Sequence, residues 1–421
     1  FLSRSVSAVG DAMIELRGRA TDVRIRKPLV RSVFRLDEEA ETNTFRLTPH
    51  DPPRGFIAPR LKFGAIVSSD PGDWISAPGS MAYLKSGDVV SLSSDGKVIN
   101  ALWRGNDATN TLLLTERCDN YCLMCSQPPR NRVDDWLLDQ AFETVSLMPD
   151  NAFEIGISGG EPTLYGRRFV ELVNHVRVTL PDTFLHILSN GRKFSDPQFA
   201  AAYANATSAG TMVGIPLYGA EFGLHDYVVQ ADGAFEETIN GIINLAELGQ
   251  AIEIRVVLHA ATAPHIVSIA QFIARNLPFV DQVALMGLEM MGLARKNIDV
   301  LWIEPSSYQE SLAEAVETLH AHGIHTMIYN HQLCLLHRDI WQFAVKSISD
   351  WKNEYDPLCA DCDVVDRCGG FFHSAKYGSS SLITPLTENG EPKHRVKGSS
   401  KEDVPKSNWS RRIIPVTPVE W

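Results

Sequence analysis

Between about residues 108 and 300 strands and helices alternate, and this alternation limits what the chain can fold into. The apolar run TLLLTE reads as a strand, VDDWLLDQAFETVSLM as a helix, and FEIGISGGEPTL as a strand running into a glycine turn. GRRFVELVNHVRVTL, DPQFAAAYANATSA and AFEETINGIINLAELG follow as helices, the last ended by Gly249, interleaved with the strands FLHILSNGR, TMVGIPLYG and AIEIRVVLH. APHIVSIAQFIARNL adds a helix and QVALMGLEMMG a strand. Six βα-type steps imply a parallel sheet with helices outside it, because parallel strands need helical crossovers. Polar residues and glycines recur at the strand C-terminal ends, where such sheets bind ligands.

The flanks read differently. Residues 1–105 are predicted as a β-rich domain, with GDVVSLSSDGKVINALWR forming a hairpin about Asp95-Gly96 through a type I′ turn. Residues 106–305 hold the alternating core, and 306–385 hold one more helix, SYQESLAEAVETLHAH, followed by a Cys-rich extension. Residues 386–421 are a polar tail poor in aliphatics. There is no internal repeat. The 51 acidic residues against 39 basic ones, a net charge of -12, argue against broad nucleic-acid or anionic-membrane binding. No apolar run reaches the roughly 18 residues of a membrane helix, so a cytoplasmic protein is expected.

The seven cysteines fall into two groups, Cys118, Cys122 and Cys125, then Cys334, Cys359, Cys362 and Cys368. Clustered thiols in a large chain favour metal over a disulfide framework. The first group, TERCDNYCLMC, lies on a loop directly after a strand, so three thiolates can converge on one centre. Zinc would ask for a fourth Cys or His nearby, and the nearest downstream histidine is His175. Three thiolates with an open position suit a [4Fe–4S] cluster whose remaining iron takes an external ligand.

This Cys-x3-Cys-x2-Cys loop resembles the hallmark of the radical S-adenosylmethionine (SAM) enzymes. SGGEPTL, at the end of the second strand, resembles the segment that in that family meets the methionine amino group. The resemblance implies a partial (β/α)6 TIM-like barrel, α/β in class, with Cys118, Cys122 and Cys125 on a [4Fe–4S] cluster chelated by SAM. It assigns Gly159, Gly160, Glu161 and Pro162 to SAM binding, with Ser189 and Asn190 of SNGR beside them. It places Arg255 against the methionine carboxylate, LMGLEMMG against adenine, and Met124, where the family often has an aromatic residue, as an apolar surface at the cofactor. No general base is evident, so the catalytic residues stay unassigned.

CADCDVVDRC resembles part of the auxiliary-cluster extensions, called SPASM or twitch domains, of peptide-modifying radical SAM enzymes. A full SPASM domain carries more cysteines, so the four here supply one second [4Fe–4S] cluster or a structural zinc at most. His373, His320, His322 and His325 could substitute as ligands, although helix-end solvation explains the last three better. TERCDNYCLMCSQPP, SISDWKNEY and CGGFF resemble the radical SAM maturase of the His-Xaa-Ser repeat system. That implies a precursor peptide with His-Xaa-Ser repeats as substrate, a low-potential electron donor, a second radical SAM protein as partner, and a peptide modification such as crosslinking. The β-rich domain would bind the leader by analogy alone. A glycyl-radical activating enzyme, an RNA-modifying radical SAM enzyme, and a non-catalytic Fe–S or zinc scaffold are the alternatives.

Overall fold

The computed structural model describes residues 6–9, 12–29, 32–41, 43–52, 54, 56–66, 72–107, 110–346 and 354–393. The stretch SISDWKN and the tail beyond residue 393 lie outside the described residues.

The N-terminal part pairs β1 (Val6–Val9) with β2 (Ala12–Glu15) and then builds a second, larger sheet. Its strands are β3 (Arg17–Arg19), β4 (Asp22–Arg24), β5 (Val33–Glu38), β6 (Thr44–Thr48), β7 (Arg60–Phe63), β8 (Trp74–Ala77), β9 (Val89–Leu92) and β10 (Val98–Trp103). They run in the order β3-β10-β9-β5-β6-β7-β8-β4. The two edges, β3 and β4, are successive pieces of one segment, so the sheet curls into a barrel around Phe34, Leu36, Leu47, Leu61 and Ile75. The β9–β10 hairpin is present, but its turn is not type I′. That turn needs positive φ at both central residues, and here Gly96 has φ 71° while Asp95 does not share it. The chain closes instead with Gly96 N–H on the Ser93 carbonyl at 2.7 Å.

The second half is a parallel sheet whose strand order equals chain order. It contains β11 (Asn110–Leu113), β12 (Glu154–Ser158), β13 (Phe184–Leu188), β14 (Thr211–Pro216), β15 (Ala251–Leu258), β16 (Gln282–Gly287), β17 (His325–Tyr329) and β18 (Ala344–Val345). The first six match the predicted alternation, and two more strands extend the sheet beyond it. The connecting helices are α1 (Trp136–Leu147), α2 (Arg167–Thr179), α3 (Pro197–Ala206), α4 (Phe222–Val229), α5 (Ala234–Glu247), α6 (Ile266–Asn276), α7 (Gly292–Lys296), α8 (Ile298–Leu301) and α9 (Gln309–Ala321). The first and last strands of this sheet are not paired, so the barrel is partial and open.

Period-2 alternation sorts the strand residues onto two faces. Ile155, Ile157, Leu185, Ile187, Val213, Ile254 and Leu285 pack with Phe169, Ala200, Ile242 and Ile269 of the helices in the main core. The alternate set, among them Glu154, His186, Met212, Glu253, Arg255 and Tyr329, therefore faces the inside of the curved sheet.

Candidate active site

The loop after β11 carries the first three cysteines, and its shape is set by buried acids on either side. Asp134, fully buried just before α1, accepts hydrogen bonds from Thr115 Oγ1 (3.0 Å), Glu116 N–H (2.6 Å) and Arg117 Nε (3.2 Å). Glu116, 3% exposed, pairs with Arg132 and, at 3.6 Å, with Arg130, whose N–H donates to the Glu116 carbonyl at 2.8 Å. Residues 116–132 are thus pinched closed at their base. This accounts for the arginines downstream of the cysteines.

The SGGEP turn leans directly on this loop. Gly160 N–H donates to the Thr115 carbonyl and Glu161 N–H to the Arg117 carbonyl, both at 2.8 Å. A Cβ on Gly160 would lie 2.1 Å from the Arg117 carbonyl oxygen, and one on Gly159 2.8 Å from that of Thr115, so only glycine permits the approach. Pro162 opens the short 3-10 turn Pro162–Tyr165 and is buried.

Glu161 is the hub. Its carboxylate, 1% exposed, accepts from Thr163 N–H (3.0 Å), Thr163 Oγ1 (2.6 Å), Ser189 Oγ (2.8 Å) and Asn190 N–H (2.6 Å). Burial pushes its carboxyl upward against these donors. Ser189 and Asn190 follow β13, so the hub fastens the third strand's loop to the second. Asn190 Nδ2 then reaches Asp119 Oδ1 at 2.6 Å, and Arg192 donates to the Asp119 carbonyl (2.9 Å) and Asn120 Oδ1 (2.7 Å) within the cysteine loop. Arg192 also meets Glu237 of α5 at 2.6 Å. Three strand-end loops are therefore one hydrogen-bonded unit around the thiols.

All three thiols are partly exposed and free. Burial raises each, Cys122 to about 12, with Glu161 adding to the effect at Cys118 and Cys125 to that at Cys122. Such thiols ionise only with a cationic centre beside them. Neither thiol group, among the described residues, is set to hold a single metal ion as it stands, and three thiolates on one loop without a fourth protein ligand are the donor set of a [4Fe–4S] cluster with one open position. Met124 packs beneath the loop with Tyr218, Val228 and Val229. Cys125's carbonyl accepts from Leu293 N–H of α7 at 2.8 Å.

Arg255 lies on the inner face of β15, held by Glu253, with Met286 Sδ 3.3 Å away. Glu253 also faces His186 Nε2 at 3.6 Å, and burial keeps His186 below the usual histidine range. The structure does not join Arg255 to the three-loop unit by a direct hydrogen bond among the described residues.

The later cysteines gather separately. Leu333 N–H meets Cys368 Sγ and Leu386 N–H meets Cys362 Sγ, both at 3.4 Å, while Cys334 and Cys359 border one apolar cluster with Leu335 and Phe371. Burial and then its three sister thiols raise Cys334 to about 11. His373 is engaged by Glu354 (2.5 Å) and Lys376 (2.6 Å), and His322 by the Thr318 carbonyl (2.8 Å).

Asp119, Asp134 and Arg192 were not among the predicted site residues. Only the acidic and basic letters beside the two motifs could have hinted at them.

The Radical SAM superfamily model matches residues 112–273. Those residues form a radical SAM domain. The radical SAM domain spans β11 to α6 and includes all three cysteines of the first group, the SGGEP turn and Arg255. Its cofactors are a [4Fe–4S] cluster and S-adenosylmethionine. No curated protein matches the chain. Among solved structures, SuiB from Streptococcus suis is 14% identical with a TM-score of 0.41, covering 53% of this chain and 50% of that one. SuiB bound to precursor peptide SuiA is similar at the same identity and TM-score. anSMEcpe with bound AdoMet is 16% identical, with a TM-score of 0.42 over 52% of this chain and 62% of that one. The chain thus spans about half of SuiB and less than two thirds of anSMEcpe. No helix among the described residues is long and apolar enough to cross a membrane.

Proposed function

We propose that the chain is a radical SAM enzyme that modifies a peptide or protein, using a second metal group in its C-terminal extension. The observation that carries this reading is the unit of three strand-end loops, tied together by Glu161 around Cys118, Cys122 and Cys125. When bound, the cluster and S-adenosylmethionine supply one-electron reductive cleavage of the sulfonium, giving methionine and a 5′-deoxyadenosyl radical that takes an unactivated hydrogen atom.

The chain's own part is placement. Cys118, Cys122 and Cys125 would hold the cluster. The Glu161 carboxylate already serves four donors, so it orders the loops, and the Gly159 and Gly160 carbonyls take the methionine amino group. Arg255 offers its guanidinium to the methionine carboxylate from the inner face, with Glu253 orienting it. Met124 keeps the floor of the loop dry.

Cys334, Cys359, Cys362 and Cys368 would hold a second [4Fe–4S] cluster or, with their thiols drawn closer than they stand, a zinc; a cluster there would give the substrate radical's electron a way out, favouring crosslinking. We divide the chain accordingly into 1–105, 106–305, 306–385 and 386–421. The resemblance to the His-Xaa-Ser maturase supports a repeat-bearing precursor peptide, a second radical SAM partner and a low-potential donor in a reducing, cytoplasmic setting.

The test is anaerobic reconstitution with S-adenosylmethionine and dithionite. Formation of 5′-deoxyadenosine is expected, and an intact cluster that forms none, with a His-Xaa-Ser repeat peptide present, sinks the enzyme reading. Iron and zinc counts decide the second site. A Cys359→Ala/Cys362→Ala variant loses about four irons per chain if that site holds a [4Fe–4S] cluster, and only zinc otherwise.

A further inference from the structure

A cleft opens between the C-terminal ends of β15, β16 and β17 and the Cys-rich extension. Trp302, Tyr308, Phe371 and Phe372 form its walls, and no Asp, Glu, Lys or Arg lines it. The polar groups that do line it are largely committed. His331 is buried, with Nδ1 on the Tyr329 carbonyl at 3.0 Å and Nε2 on the Tyr308 hydroxyl at 2.9 Å, and burial holds it well below the usual histidine range, so the imidazole is neutral. Asn330 donates to the Gly287 carbonyl at 3.0 Å, and Gln332 to that of Gly370 at 2.7 Å, which turns their amide oxygens to acceptor duty. Among the buried groups Ser374 is the exception. It is 4% exposed, and its Oγ is buried with no hydrogen-bond partner among the described residues. A buried hydroxyl without a partner carries a desolvation cost that a bound ligand can relieve.

The cleft also lies between the two thiol groups. Met290, in its wall, precedes the α7 segment whose Leu293 N–H bonds the Cys125 carbonyl. Phe371, also in the lining, shares an apolar cluster with Cys334 and Cys359. We propose that this cleft receives an uncharged aromatic side chain of the peptide substrate, stacked among Trp302, Tyr308, Phe371 and Phe372 and hydrogen-bonded by Ser374. The naming of a peptide as ligand rests on the function proposed above. The walls select the class: four aromatic faces favour a flat ring.

The probes are N-acetyl-tyrosinamide and N-acetyl-phenylalaninamide against N-acetyl-lysinamide and N-acetyl-glutamate amide. Saturation-transfer NMR is read on the reconstituted full chain with S-adenosylmethionine at saturation. The aromatic amides should bind and the charged ones should not. Ala375→Trp, which fills the cleft, should abolish the signal, and Ser374→Ala should weaken binding roughly two- to tenfold. Iron content and circular dichroism establish that each variant is folded. If Ala375→Trp does not fold, the Ser374→Ala affinity decides. The segment LMGLEMMG, read above as facing adenine, supplies Gly287, Leu288 and Met290 to the lining, so amides that bind without S-adenosylmethionine but not with it would overturn the proposal, the cleft then belonging to the nucleotide. Equal binding of charged amides, or unchanged binding in the variants, would overturn it too. Deoxyadenosine formation without amide binding refutes the cleft alone, whereas amide binding without deoxyadenosine refutes the radical chemistry alone.

Discussion

Four donors converge on the Glu161 carboxylate, and a glutamine there would turn an NH2 toward one of them. Glu161→Gln is therefore expected to cost about 1–3 kcal/mol of stability, read by denaturant unfolding, and to reduce cluster loading with it. Gly160→Ala acts on the same contact from the other side, because its Cβ would sit against the Arg117 carbonyl next to Cys118. Iron and sulfide per chain should fall, with the second group's share retained. Unchanged loading would show that the turn and the loop can separate freely. The cysteines and the SGGEP turn were legible in the sequence because ligand chemistry is local: three thiols in eight residues declare themselves. Arg192 was not legible. Its partner Asp119 lies 73 residues away, and an arginine after a strand looks like any surface arginine.

At the level of elements, the strand–helix alternation could be read as far as β16, where periodicity was strong. Neither β17 nor β18 was foreseen. HTMIY is a short run behind a helix, and β18 has two residues, so pairing in space rather than pattern in sequence defines them. The Asp95-Gly96 hairpin was legible as a hairpin but not by turn type, which depends on the φ of one residue. Short α7 links the first cysteine loop to the Cys-rich extension, since Arg295 stacks on Tyr377 at 3.7 Å. Arg295→Ala should remove about 0.5–2 kcal/mol of that stacking. Faster limited proteolysis within residues 354–393 is the expected readout, with little change around α2.

For the whole molecule, three buried histidines set the acid limit. Burial holds His225, His259 and His331 each at about 4. Unfolded, they take a proton near the ordinary value of about 6.5. Their contribution is therefore complete above that value and is lost as pH falls from there toward 4, where only the unfolded chain is protonated. Stability should drop across this window. His259→Gln should flatten the slope by up to one proton, which separates the histidine effect from acid loss of any cluster.

Strand order that equals chain order has a consequence for assembly. Each new strand of the parallel sheet finds its partner in the βα unit just before it, so loop closure stays short at every step. During synthesis the chain emerges from its N-terminus. The loop holding Cys118, Cys122 and Cys125 has its hub and clamps, Glu161, Ser189, Asn190 and Arg192, in place once β13 has docked. Cys334 is then still more than a hundred residues from being made. The order of translation keeps the two thiol groups apart, so a metal delivered early meets only the first.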